Sequence, residues 1–142
     1  MNTVLDELNL DHVIDLCQEL VAEFQTIKDV TFGEMISTLT LTIAEMLALK
    51  GAPHAAQHFK AGMAEPLRVL VADPSRAIRC NEAIVRFIET LNVTDINDLA
   101  MICALCATNI AEVACSEAHG DYIRQLWKET MLIVEDERRM MN

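Results

Sequence analysis

The sequence predicts an all-α protein of about six helices in one compact domain, residues 1–142. Three observations lead there. Apolar residues make up 52% of the chain while aromatics are 4%, and turn formers are scarce, with four glycines and three prolines. A chain rich in Ala, Leu, Ile and Met favours helix. Apolar positions recur at helical spacing over most of the length. Start and stop signals then cut these stretches apart at Asn9, Gly51–Pro53, Asp73–Pro74, Thr94 and Gly120.

Val4, Leu5 and Leu8 fall opposite the apolar face that follows them, so a first helix is expected to start after Asn9, an N-cap residue. It covers about 10–27. Leu10, Val13, Ile14, Cys17, Leu20, Val21, Phe24 and Ile27 form its apolar face, and Asp11, Asp15, Glu19 and Glu23 form a ladder on the far side. Like charges four apart repel by about 0.2–0.5 kcal/mol a pair, and no Lys or Arg within the helix relieves them.

The turn 28–31 leads to a second helix, about 32–50, apolar nearly all round apart from Thr38, Thr42 and Glu45. Gly51 closes it as a C-cap. A third helix covers about 54–72, with Pro66 predicting a kink or break near Glu65. Asp73–Pro74 opens the fourth, 74–91, with Ala77, Cys80, Ile84, Phe87, Ile88 and Leu91 inward and Arg76, Arg79 and Arg86 away from the core. Thr94 is the expected cap of the fifth, about 95–117. Gly120 is expected to separate it from the sixth, about 121–138, where Ile123, Leu126, Trp127, Met131 and Val134 face inward.

The halves resemble each other. Cys17, Glu19, Phe24, Val30 and Thr31 recur as Cys80, Glu82, Phe87, Val93 and Thr94 at an offset of 63, and Ile43-Ala44-Glu45 recurs as Ile110-Ala111-Glu112 at 67. The expectation is two three-helix repeats, 10–72 and 73–138. Helices 2 and 5 are then central and adjacent, since only a helix covered on most sides is apolar all round.

Charge bounds the partners. The net charge is −11, and residues 1–27 hold six acids and no Lys or Arg. Direct nucleic-acid binding through phosphates is disfavoured, and a basic protein partner is favoured. The most apolar stretch, Leu99–Cys115, carries Asn109 and Glu112 and lacks basic flanks, so no membrane span is expected. The opening residues lack the pattern of a signal peptide. A cytoplasmic protein with reduced, buried thiols at Cys17, Cys80, Cys103, Cys106 and Cys115 is the expectation. Mean hydropathy of +0.23 suggests additional burial against a second copy, a homodimer or other homo-oligomer.

Candidate chemistry is sparse. Glu45 and Glu112 are the only charges in the apolar bodies of helices 2 and 5; if brought together as buried carboxylates, one would hold its proton. The contrary expectation is that each reaches solvent or an arginine. His54 and His58 stand one turn apart, suitable for a metal, but no Glu-x-x-His pair accompanies them. Cys103-x-x-Cys106 has the spacing of a zinc half-site, yet Cys115 lies too far along the same helix to join one ion. No Gly-x-Ser-x-Gly elbow or glycine-rich phosphate loop is present.

The expected function is therefore non-enzymatic: an interaction, regulatory or inhibitor protein presenting Asp11, Asp15, Glu19 and Glu23 to a basic protein partner, in its specific version a nucleic-acid-binding protein. No cofactor or metal is expected. The alternative is a helical bundle that holds a metal or small ligand between its central helices, near Glu45, Glu112 and the histidines.

Overall fold

The computed structural model describes residues 10–67, 73–91 and 95–141. Among them are six helices and no strand: α1 Leu10–Gln25, α2 Phe32–Leu49, α3 Pro53–Leu67, α4 Pro74–Thr90, α5 Ile96–Ala114 and α6 Glu117–Met141. The proposed Asn9 cap lies outside the described residues.

Local chemistry explains most boundaries. Thr31 and Glu34 form a reciprocal capping box at the start of α2. The helix ends in a Schellman turn, with Ala52 N–H donating to the Leu47 carbonyl at 2.9 Å and Gly51 N–H to that of Ala48 at 3.0 Å. Gly51 sits at φ 83°, where a Cβ would be strained. Asp73 caps α4 as expected, accepting from the Ser75 and Arg76 N–H groups, with Pro74 in the first turn.

Three boundaries differ from the sequence reading. Asp95, not Thr94, caps α5, accepting from the Asn97 and Asp98 N–H groups; Thr94 lies outside the described residues. Gly120 does not separate α5 from α6. The break falls at Cys115–Ser116, and Gly120 is buried inside α6, where the Glu112 side chain crosses it and leaves no room for a Cβ. The third helix runs without a break to Leu67, Pro66 included.

The most extensive contact is between α2 and α5. Around this pair, α2 packs on α3 and α4, α5 packs on α6 and α1, α3 packs on α6, and α1 on α4. Exchanging α1 with α4, α2 with α5 and α3 with α6 leaves this set of contacts unchanged. Ala100, Ala104, Ala107 and Ala111 are buried along α5, and Met35, Leu39, Ile43 and Leu47 along α2. Phe59 of α3 meets Trp127 of α6 edge to face, with centroids 5.6 Å apart, and the Trp127 indole N–H donates to the Met101 sulfur at 3.0 Å. Buried threonines on these helices return their hydroxyls to the carbonyl one turn back: Thr38 to Glu34, Thr40 to Ile36, Thr108 to Ala104, Thr130 to Leu126. This lets polar side chains enter the core without an unpaired donor. Both α2 and α5 are long and apolar enough to cross a membrane, and about half of each is buried in the bundle.

Candidate functional site

Helix α1 is turned relative to the sequence reading. Its buried residues are Leu16, Cys17, Leu20, Phe24 and the following Ile27. Ile14 is exposed and Val21 only half-buried. The reason is packing: α1 sits between α5 and α4, so its covered arc swings toward Leu16. The edge carrying Ile14 and Val21 is left over.

That edge forms one wall of an open groove of about 510 Å³ between α1 and α5. Ile110 and Val113 of α5 line the other side, together with Phe32 and the buried Cys17. Phe32 is 46% and Val113 77% exposed, unusual for side chains of this size beside a core. Gln18, Gln25 and Asn109 supply the polar lining, and no charged side chain lines it among the described residues.

The acidic ladder lies on the solvent side of the same helix. Asp15 and Glu19 are exposed, each one helical step of about 100° beyond groove-lining Ile14 and Gln18. Glu23 has moved round toward α4, where the Arg86 Nε–H donates to it at 3.1 Å. The repulsion along the ladder is thus relieved at one end, by a cation 63 residues away. The side chain of Asp11 lies outside the described residues.

The two central glutamates are not a buried pair. Glu45 is exposed, lining the grooves between α2 and α3 and between α2 and α4. Glu112 is half-buried and turned to α6, where Arg124 donates to its carboxylate. The thin polar stripe of each helix is where these charges escape the core.

The buried carboxylate is instead Glu34, 1% exposed. Arg76 Nε–H donates to its two oxygens at 2.9 and 3.0 Å, and the Thr31 N–H donates at 3.0 Å. Burial pushes this carboxyl up, but the hydrogen bonds from Arg76 and Thr31, with the Arg76 charge, outweigh it and hold the group below its ordinary range. Arg76, read from sequence as facing away, therefore ties the first turn of α4 to that of α2. The capping-box pattern Thr31-x-x-Glu34 was the available signal for Glu34; nothing local indicates the arginine.

Cys17, Cys80, Cys103 and Cys106 are buried, whereas Cys115, expected in apolar surroundings, is exposed at the end of α5. Cys17 and Cys106 are neighbouring thiols at the α1/α5 seam; the neighbour lowers the Cys17 thiol, and the same neighbour together with burial raises that of Cys106 well above normal. Burial pushes Cys103 up to about 12. His54 bonds Glu137 at 3.2 Å and His58 faces Glu129 at 4.0 Å. Among the described residues no three His, Cys, Asp or Glu side chains converge as metal ligands do.

Comparison with protein-family models, curated proteins and solved structures finds no match to this chain.

Proposed function

We propose that the protein is a non-catalytic interaction protein that docks a basic protein surface on the acidic side of α1. The observation that carries this reading is the pairing state of the ladder. Glu23 is neutralised by Arg86, while Asp15 and Glu19 stand exposed on a helix that carries no Lys or Arg. Like charges held together without internal relief are stabilised by a partner that brings the opposite sign. The net charge of −11 acts in the same direction. A regulator or inhibitor that occupies the basic surface of a nucleic-acid-binding protein is the specific form of this role. The free cysteines suit a reducing cytoplasm.

The same reading takes the fold as a duplicated three-helix unit. Support comes from the contact set that survives exchange of the two triplets. Glu23 and Arg86 add to it, since they meet across α1 and α4 at the repeat offset of 63.

The test is affinity capture with identification of the bound proteins, comparing wild type with Asp15→Lys/Glu19→Lys. Glu23 is left intact to preserve its bond to Arg86. Basic partners retained by wild type, released by salt and lost by the variant are the expected result. An unchanged set of partners overturns the reading. Light scattering of the same preparations tests self-association, and a monomer at all concentrations removes the expected dimer.

A further inference from the structure

We propose that the groove between α1 and α5 is a receptor for one basic amphipathic helix of a protein partner. The inference rests on the interaction reading above and names the site and the shape of what binds.

The groove follows α1 from Ile14 to Gln25, about 16 Å at 1.5 Å per residue. That length accommodates three turns of a helix, whose apolar stripe at i, i+3 or i+4 and i+7 would cover Ile14, Val21 and Val113. The apolar material is available because of how α1 is seated. Burial of Leu16 turns Ile14 and Val21 out of the core, and Val113 is 77% exposed on the facing helix.

Charge selects the occupant. Among the described residues no Lys or Arg lines the groove; exposed Asp15 stands one helical step from Ile14 on the solvent side of α1, and exposed Glu19 stands further round, one step from Gln18. Lysines or arginines flanking the apolar stripe of an incoming helix would therefore meet carboxylates as they leave the groove. A second copy of this chain suits the groove less well, because it brings its own acidic α1 and a further charge of −11. Gln18, Gln25 and Asn109 offer hydrogen bonds to the polar edges of the occupant without adding charge.

The experiment uses the full chain and a fluorescein-labelled synthetic helical peptide with leucines at i, i+4 and i+7 and lysines on the flanks, titrated by fluorescence anisotropy. Two control peptides replace the lysines with glutamate or scramble the leucine spacing. Wild type is expected to bind the first peptide saturably and neither control. Ile14→Glu/Val113→Glu and Asp15→Lys/Glu19→Lys are each expected to weaken binding at least about tenfold. Ile78→Glu, an exposed site on α4, is expected to leave it unchanged. Circular dichroism melts establish that each variant is folded; all four groove and ladder positions are at or near the surface.

No binding of the lysine peptide by folded wild type overturns the inference. So does equal binding of the glutamate peptide, or binding that survives Ile14→Glu/Val113→Glu. If it survives that change but is lost on ladder reversal, the acidic docking reading stands and the groove does not. If it survives both, both fall. A wild-type dimer that Ile14→Glu/Val113→Glu dissociates assigns the groove to a second copy and also overturns the inference.

Discussion

At the α2/α4 seam a buried carboxylate meets an arginine; at the α1/α5 seam two thiols meet each other. The seams hold corresponding places in the bundle, each joining an outer helix of one triplet to the central helix of the other. Yet Glu34 is fixed by Arg76 and Thr31, whereas Cys17 and Cys106 only neighbour each other. Both seams border open grooves, but with different linings. The α2/α4 groove is lined by Thr38, Thr42, Asn81, Glu45 and Glu82 beside Leu41 and Ile78. The α1/α5 groove has no charged lining among the described residues and exposes Phe32 and Val113. The difference separates two uses of the same packing. Both grooves expose apolar side chains, Leu41 and Ile78 in one and Phe32 and Val113 in the other, but only at α2/α4 do described carboxylates, Glu45 and Glu82, stand among them.

The largest test asks whether the seams are equally well packed despite this chemistry. Phe24 on α1 and Phe87 on α4, the outer helix of each seam, stand 63 residues apart and are both buried, at 0% and 2% exposure. Replacing either with Ala is expected to cost about 3–5 kcal/mol, measured by urea unfolding. Similar costs mean that the cores of the two seams are equivalent and that their difference lies at the surface. A Phe24→Ala cost below about 2 kcal/mol would mean that the α1/α5 seam is loosely packed throughout, and the contrast would extend to the core.

Breaking the charged lock comes next. Arg76→Met leaves Glu34 buried without its counter-charge and is expected to lower the unfolding midpoint by less than the phenylalanine changes but more than any surface pair. Glu34→Gln in the same chain is expected to recover part of that loss. The pH dependence carries the sign. The folded pKa of Glu34 lies below its unfolded value, near 4.3 for a free glutamate, so the stabilisation is present above that value and is lost as pH falls through the folded pKa. The Glu34→Gln protein is expected to lose less stability than wild type between pH 5 and pH 3, read from thermal melts.

These seams mark how far the sequence could be read. The six helices were legible because apolar spacing and caps such as Asp73–Pro74 are local properties. The central position of α2 and α5 was legible because a helix apolar on all sides must be covered. Glu45 and Glu112 stood out as charges in apolar helices, but whether a helix position is covered depends on the neighbours, and Arg124 claims Glu112 from another element. The bond between Glu34 and Arg76 spans 42 residues, and no local pattern encodes it. The same limit hid the groove. Leu10–Ile27 shows a broad apolar face, and only the placement of α4 decides that Leu16 is covered and Ile14 is not. Gly120 was misread because a glycine that ends a helix and one that lets a side chain pass look alike in sequence.

A smaller effect compares two thiols at corresponding positions. Cys17 is lowered by the neighbouring Cys106, which outweighs burial. Cys80 is raised by burial, which the nearby Thr38 does not offset. Since the thiolate is the nucleophile, native-state labelling with a maleimide followed by peptide mapping is expected to modify exposed Cys115 first. Cys17 follows, ahead of Cys80. Cys103, pushed up to about 12, is expected to react only on unfolding. Equal rates at Cys17 and Cys80 would mean that opening of the helices, not thiolate character, sets access, and the chemical contrast between the seams would have no consequence in solution.

The smallest effect lies where the two outer helices touch. Glu23 and Arg86 bond at 3.1 Å with side chains 41% and 50% exposed, so a double-mutant cycle with Glu23→Gln and Arg86→Gln is expected to give a coupling of about 0.2–1 kcal/mol that fades in high salt. The value matters less for stability than for the ladder. Arg86→Gln frees Glu23 and restores an unrelieved run of carboxylates on α1, so the same substitution is expected to strengthen binding of the lysine peptide slightly while weakening the fold slightly. Opposite signs in the two measurements connect the mixed charge of α4 to the acidity of α1. A fall in both would mean that Arg86 supports the shape of the groove more than it competes for its charge.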